Sequence, residues 1–163
     1  MTNPSEMRTQ KISAIMFTDI AGFSKKLSED EVRAFDLLKT HDALIRVLTA
    51  KFDGKVLKSL GDSFMVEFPN GANAVKCAVE IQKRFWNFNR GKMESDTIRI
   101  RIGIHISETL IRHGDILGAD TAIVSRIEAM TEPNRICISQ EAYEHIKNVL
   151  PIQVFKVGLL ELK

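Results

Sequence analysis

A chain of 163 residues, 44% hydrophobic and 27% charged, is long enough to bury one core and too short to expect two domains. A formal net charge of +2 gives no global reason to expect a nucleic-acid or acidic-membrane partner, and no run of about 18 apolar residues is present to form a transmembrane helix. The opening MTNPSEMRTQ lacks the apolar centre of a secretory signal and reads as a leader or linker, residues 1–10, ahead of a domain over residues 11–163.

In chain order, residues 11–17 (KISAIMF) are apolar on both faces and short, the pattern of a central strand. SEDE at 28–31 is a capping-box sequence, so a helix is expected from there to about residue 50, with Val32, Phe35, Leu38, Leu44, Ile45 and Leu48 as its buried stripe. KVLKSLGDSFMVEF at 55–68 holds two strand-like runs around Gly61 and Asp62, a hairpin signal. Residues 69–71 (PNG) break the chain, and 72–88 reads as a second helix with Phe85, Trp86 and Phe88 at its core and rim. TIRIRIGIHIS at 97–107 alternates as a half-buried strand does, with Arg99 and Arg101 expected to face solvent. Residues 108–118 are turn-rich. A helix over 119–130, a strand at 135–139, a helix over 140–149 and a last strand at 152–157 complete the chain. The layout is α+β, with helices over a mixed, largely antiparallel sheet. Cys77 and Cys137 lie far apart among apolar neighbours, as buried thiols of a reducing, cytoplasmic compartment would. His41, His105, His113 and His145 show no metal-ligand spacing, and neither a P-loop nor a nucleophile triad is present.

Two carboxylates stand where strands give out: Asp19 after the first strand and Asp62 at the hairpin tip. If the first strand neighbours the hairpin, the two tips meet. Paired carboxylates repel and lose hydration, and a divalent cation that favours hard oxygen ligands, such as Mg²⁺, offsets both costs. Spacing alone leaves a plainer alternative, in which Asp19 caps a turn and Asp62 fills the hairpin. Lys58 precedes Asp62 by four residues of extended chain, so it begins roughly 13 Å away and addresses something else. AGFSKK at 21–26 is turn-forming ahead of a helix, and its backbone N–H groups can cradle phosphate oxygens.

FTDIAGFS (17–24), KSLGDSFMVEF (58–68), IRIGIH (100–105), GDILG (114–118) and VSRIEAM (124–130), in that order, give the chain a resemblance to the catalytic domain of class III nucleotide cyclases over about residues 12–163. The resemblance implies a ferredoxin-like βαββαβ core with an additional C-terminal helix and strands. It implies an adenylate cyclase, making 3′,5′-cyclic AMP and pyrophosphate from ATP. Two Mg²⁺ or Mn²⁺ ions would be held by Asp19, Asp62 and the backbone carbonyl of Ile20, assisting attack of the ribose 3′-hydroxyl on the α-phosphate. The backbone of Ala21, Gly22, Phe23 and Ser24 would hold the β- and γ-phosphates, with Lys163 as a further triphosphate ligand. Arg126 would stabilise charge on the transferring phosphate.

The same resemblance implies a head-to-tail homodimer with shared sites. No membrane segment is expected in this chain, and the polar leader and the end at LLELK suggest a piece of a longer parent protein with a sensor domain. Lys58 and Asp115 match the purine-selecting pair, serving the site whose metals come from the other copy. Lys58 can donate to adenine N1 and Asp115 can accept from the exocyclic amine; guanine reverses that edge, which disfavours GTP. The sequence departs from the family pattern at Ala122, where an asparagine orients the ribose, with Asp120 or Thr121 as candidate substitutes, and at Ser107, where glycine is usual. Ala122 keeps a second expectation in view: a weak or inactive domain that binds ATP or dimerises as a regulatory module.

Overall fold

The computed structural model describes residues 10–112, 115–117 and 119–157, with side chains described for 12–106 and 120–157; Lys163 lies outside the described residues. Strand β1 (Gln10–Ile20) is central, with β3 (Ser63–Phe68) and β4 (Ile100–Arg112) antiparallel on either side. The sheet continues outward through β2 (Lys55–Leu60) beyond β3 and β5 (Asp115–Leu117) beyond β4, and β6 (Arg135–Ile138) pairs in parallel with the start of β4. The helices are α1 (Phe23–Glu29), α2 (Glu31–Lys51), α3 (Gly71–Asn89), α4 (Ala119–Ala129) and α5 (Gln140–Ile146). From β1 to β4 the order is βαββαβ with α1 and α2 in the first crossover. The ferredoxin-like core is therefore present, followed by two strands and two helices.

Alternation along β1 and β4 decides which face each helix covers. Ala14 and Met16 of β1 and Ile100, Ile102, Ile104 and Ile106 of β4 point to one face, with Phe64, Val66 and Phe68 of β3. There they meet Leu37, Ile45 and Leu48 of α2, Ala78, Ile81 and Phe85 of α3, and Ile146 of α5, and this is the main core. The odd-numbered residues point the other way, to a smaller cluster of Ile15 and Val124 flanked by Phe17, Leu57 and Met65. Helix α4 packs against that second face through β1 and β4.

Several expectations need correction. Ser28 lies inside α1, with its hydroxyl on the Lys25 carbonyl; α2 is capped by Asp30, whose Oδ1 accepts the Arg33 N–H at 3.0 Å. The buried stripe of α2 runs through Ala34, Leu37, His41, Ile45, Leu48 and Thr49, leaving Val32 75% and Phe35 46% exposed. An alanine and a histidine on the stripe hid it from a reading by hydrophobicity. Strand β4 continues to Arg112 and turns back into β5, where a turn-rich stretch was expected. Residues 152–157 form no strand, and Phe155 and Val157 are largely exposed. Arg101 does not face open solvent, because α4 covers it.

Candidate active site

The hairpin that carries Asp62 is closed by only Gly61 and Asp62 between β2 and β3, with Leu60 opposite Ser63. Gly61 takes φ 58, the positive value that a type II′ turn needs in its first central place. Since β3 pairs with β1, this tip lies beside the end of β1, and Asp62 Oδ2 accepts the Ile20 N–H at 3.1 Å. The sheet thus brings Asp62 against the residue that follows Asp19. Burial, with the Asp19 carboxylate adding to it, raises the Asp62 carboxyl above its usual value despite the hydrogen bond from Ile20. No group of three or more His, Cys, Asp or Glu side chains suited to a metal converges among the described residues. Two carboxylates and a backbone carbonyl still suit Mg²⁺ or Mn²⁺, since such hard cations bind through one or two carboxylates together with substrate phosphates. The residues present fit the implied cations.

The cation that does lie at Asp19 is a guanidinium. Asp19 and Arg101 are opposed in the β1–β4 register and point to the α4 face. Arg101 Nε donates to Asp19 Oδ1 at 2.8 Å and Nη2 donates to Oδ2. Beside the same Nε is Glu128 of α4, buried, with Oε1 3.4 Å away. Burial first, and the facing Asp19 carboxylate second, push Glu128 up to about 8. Helix α4 can come this close because β4 has a glycine at the crossing: a Cβ on Gly103 would stand 2.5 Å from the Glu128 backbone nitrogen. Sequence reading missed Arg101 and Glu128. The available signal was strand parity, which puts Arg101 on the same face as Asp19 once β1 and β4 are paired.

The other expected residues distribute as follows. The Ala21 N–H is engaged by the Arg99 carbonyl at 2.8 Å and is not free for a phosphate, whereas Gly22, with φ 72, precedes Phe23 and Ser24 in the first turn of α1. A cleft of about 240 Å³ opens beside this turn, lined by Ala21, Gly22, Lys26, Glu94, Thr97, Arg99 and Pro133. Its cations are tied to Glu94: Lys26 Nζ donates to the carbonyl at 2.6 Å and Arg99 to the carboxylate at 2.5 Å. Arg126 and Ala122 lie one turn apart on the exposed face of α4. Asp120 is drawn inward, with Oδ1 3.4 Å from Nε2 of buried His105, whose Nδ1 meets the Ser139 hydroxyl at 2.8 Å. That contact makes Asp120 a poor replacement for a ribose-binding asparagine. Lys58 is exposed on β2 and Asp115 opens β5, so within one copy they occupy the two outer strands of the β2-β3-β1-β4-β5 path.

Comparison with known proteins shows the family. Residues 5–163 match the family described as the adenylate and guanylate cyclase catalytic domain. A putative adenylate cyclase 3 from Rhizobium meliloti is 28% identical over 155 residues, covering 94% of this chain and 26% of the relative. The serine/threonine-protein kinase pkn2 of Myxococcus xanthus is 28% identical over 142 residues, 85% of this chain and 17% of its own. The chain therefore spans about a quarter or less of these relatives. A crystal structure of an adenylate/guanylate cyclase/hydrolase from Silicibacter pomeroyi superposes with a TM-score of 0.87 at 28% identity, covering 94% of this chain and 90% of that one. A match over nearly the whole length, carried on the same fold, means that this chain belongs to the family of adenylate and guanylate cyclase catalytic domains.

Proposed function

We propose that residues 11–163 form an adenylate cyclase domain converting ATP to 3′,5′-cyclic AMP and pyrophosphate in sites shared by two copies arranged head to tail. The observation that carries this reading is the meeting of the Asp62 carboxylate with the end of β1 at Ile20, one residue from Asp19. Asp19, Asp62 and the Ile20 carbonyl would hold two Mg²⁺ or Mn²⁺ ions, whose charge would favour the ribose 3′-alkoxide and the leaving pyrophosphate. Gly22, Phe23 and Ser24 would orient the β- and γ-phosphates by their backbone N–H groups. Arg126, exposed on α4, would meet charge developing on the α-phosphate. Lys58 of one copy, with Asp115, would read the adenine edge bound over the metals of the other. Lys58 is exposed on the outer strand β2, which leaves it open to a partner's site; Asp115 opens β5 at the other end of the strand path. Lys163 would add to triphosphate binding. A cytoplasmic setting accords with ATP as substrate and with the free thiols of Cys77 and Cys137; no helix among the described residues is long and apolar enough to cross a membrane. A sensor domain in a longer parent is in keeping with the small share of its relatives that the chain spans.

The test is to incubate the protein with Mn²⁺ and ATP, or with GTP in parallel, and measure cyclic nucleotide and pyrophosphate. Cyclic AMP above an Asp19→Ala control, and in excess of cyclic GMP, is expected. A second reading, an ATP-binding regulatory module, is favoured by Ala122 alone; nucleotide binding without product above that control would select it.

A further inference from the structure

Arg101 meets two carboxylates through the same Nε and serves them unequally. Nε and Nη2 both donate to Asp19, the forked geometry in which guanidinium and carboxylate bind best. Nη1 reaches the Ala129 carbonyl at 3.4 Å. Glu128 Oε1 is buried, 3.4 Å from Nε, and without a hydrogen-bond partner among the described residues. Both Asp19 oxygens are therefore taken by a cation that belongs to the chain. A metal ion needing those oxygens has to displace the fork. Expelling a guanidinium that is only 28% exposed would be costly unless another carboxylate received it. Glu128 is already beside the same Nε, held there by the contact of α4 with Gly103.

We propose that Arg101 is the resident counter-cation of Asp19 and that Glu128 takes it over when a divalent cation binds. This rests on the reading of Asp19 as a cation ligand. Arg101 and Glu128 are then positioning residues that set cation affinity without touching the nucleotide, and their effects have opposite signs. Arg101 competes with the metal for Asp19. Glu128 competes with Asp19 for Arg101, and so makes room for the metal.

Binding of Mn²⁺ alone, followed by electron paramagnetic resonance of the free ion, separates the possibilities without any turnover. Arg101→Met is expected to tighten Mn²⁺ binding by about tenfold, the scale of one charge-assisted hydrogen-bonded contact. Arg101→Lys, which keeps the charge and loses the fork, should fall between it and the wild type; it also serves if the Met variant fails to fold. Glu128→Gln is expected to weaken binding in the wild-type background and to have no effect in the Arg101→Met background. Equal weakening by Glu128→Gln in both backgrounds would mean direct attraction between Glu128 and the metal, and would overturn the handover. Unchanged or weaker Mn²⁺ binding by a folded Arg101→Met protein would overturn it too. Asp19→Asn is the control for the underlying reading: if it leaves Mn²⁺ binding intact, Asp19 is not a cation ligand, whereas Asp19-dependent binding that ignores Arg101 sinks only the handover.

Discussion

On the exposed face of α4, Ala122 and Arg126 are one helical turn apart, so a longer polar side chain at 122 would point in the same direction as Arg126. Asp120, the nearest acidic alternative, is occupied by His105. Ala122→Asn should therefore raise the cyclase rate, by up to about 10²-fold if a transition-state hydrogen bond is restored. Measured kcat with Mn²⁺ and ATP decides it; an unchanged or lower rate would point to a different ribose anchor. His41 supports a prediction about pH. It is fully buried between Phe64 and Phe85, Nδ1 meets Asp42 at 3.0 Å, and Nε2 has no partner among the described residues. Burial lowers its pKa, against smaller opposing effects of Asp42, Asp62 and Asp19. The folded state thus holds the proton less tightly than the unfolded chain, whose imidazole titrates near 6.5. The stability this group confers is complete above that value and is lost as pH falls below it. Melting temperatures followed by circular dichroism should drop from pH 7.5 to 5.5 in the wild type and drop less in His41→Leu. At this scale the meeting of Asp62 with the end of β1 was legible because Asp19 follows an apolar run and Asp62 stands at a hairpin tip. Arg101 was not, because an arginine in an alternating strand looks solvated until the helix above it is known.

Among the elements, α4 has the least room for error. Gly103 lets its backbone lie directly on β4, and a Cβ there would meet the nitrogen, Cα and Cβ of Glu128 at 2.5, 2.9 and 3.0 Å. Backbone cannot swing aside as a side chain can, so Gly103→Ala should shift α4 and cost about 1–3 kcal/mol. For a chain of this size that lowers Tm by about 2–4 °C per kcal/mol. The shift would carry Arg126 and Glu128 with it, so kcat should fall further than the loss of folded protein explains. A thermal melt and a kinetic assay on the same preparation separate the two effects. Most elements were readable from period and punctuation: the hairpin at Gly61, α3 after residues 69–71, and β4 by alternation. The errors came where a local pattern needed a distant partner to mean anything. The ladder between β4 and β5 depends on a return of the chain through a turn-rich stretch, and residues 152–157 alternate without a neighbouring strand to accept them.

For the whole molecule, the sheet is unevenly clothed. One face carries α2, α3 and α5 over the main core, while the other has α4 over a small cluster and leaves Phe17, Leu57 and Met65 only partly covered. Asp19 and the exposed Lys58 lie on that second face, and Arg126 on the exposed side of α4 above it. If two copies complete each other there, an Asp19→Ala protein mixed with a Lys58→Ala protein should regain activity that neither has alone. With random exchange, half of the dimers hold one copy of each, and each of these keeps one sound site of two, giving roughly a quarter of wild-type turnover. No recovery on mixing would mean that each copy works with its own Lys58.

The turn at Gly61 and Asp62 has a further consequence. With two residues between the strands, no slack exists to absorb a change in length. Adding one residue would push the carboxylate away from Ile20 and, if the strand slipped to compensate, would exchange the inner and outer faces of β3. Insertions should thus be far more damaging at this tip than in the loop that follows α3, where the chain could lengthen without disturbing the strand pairing.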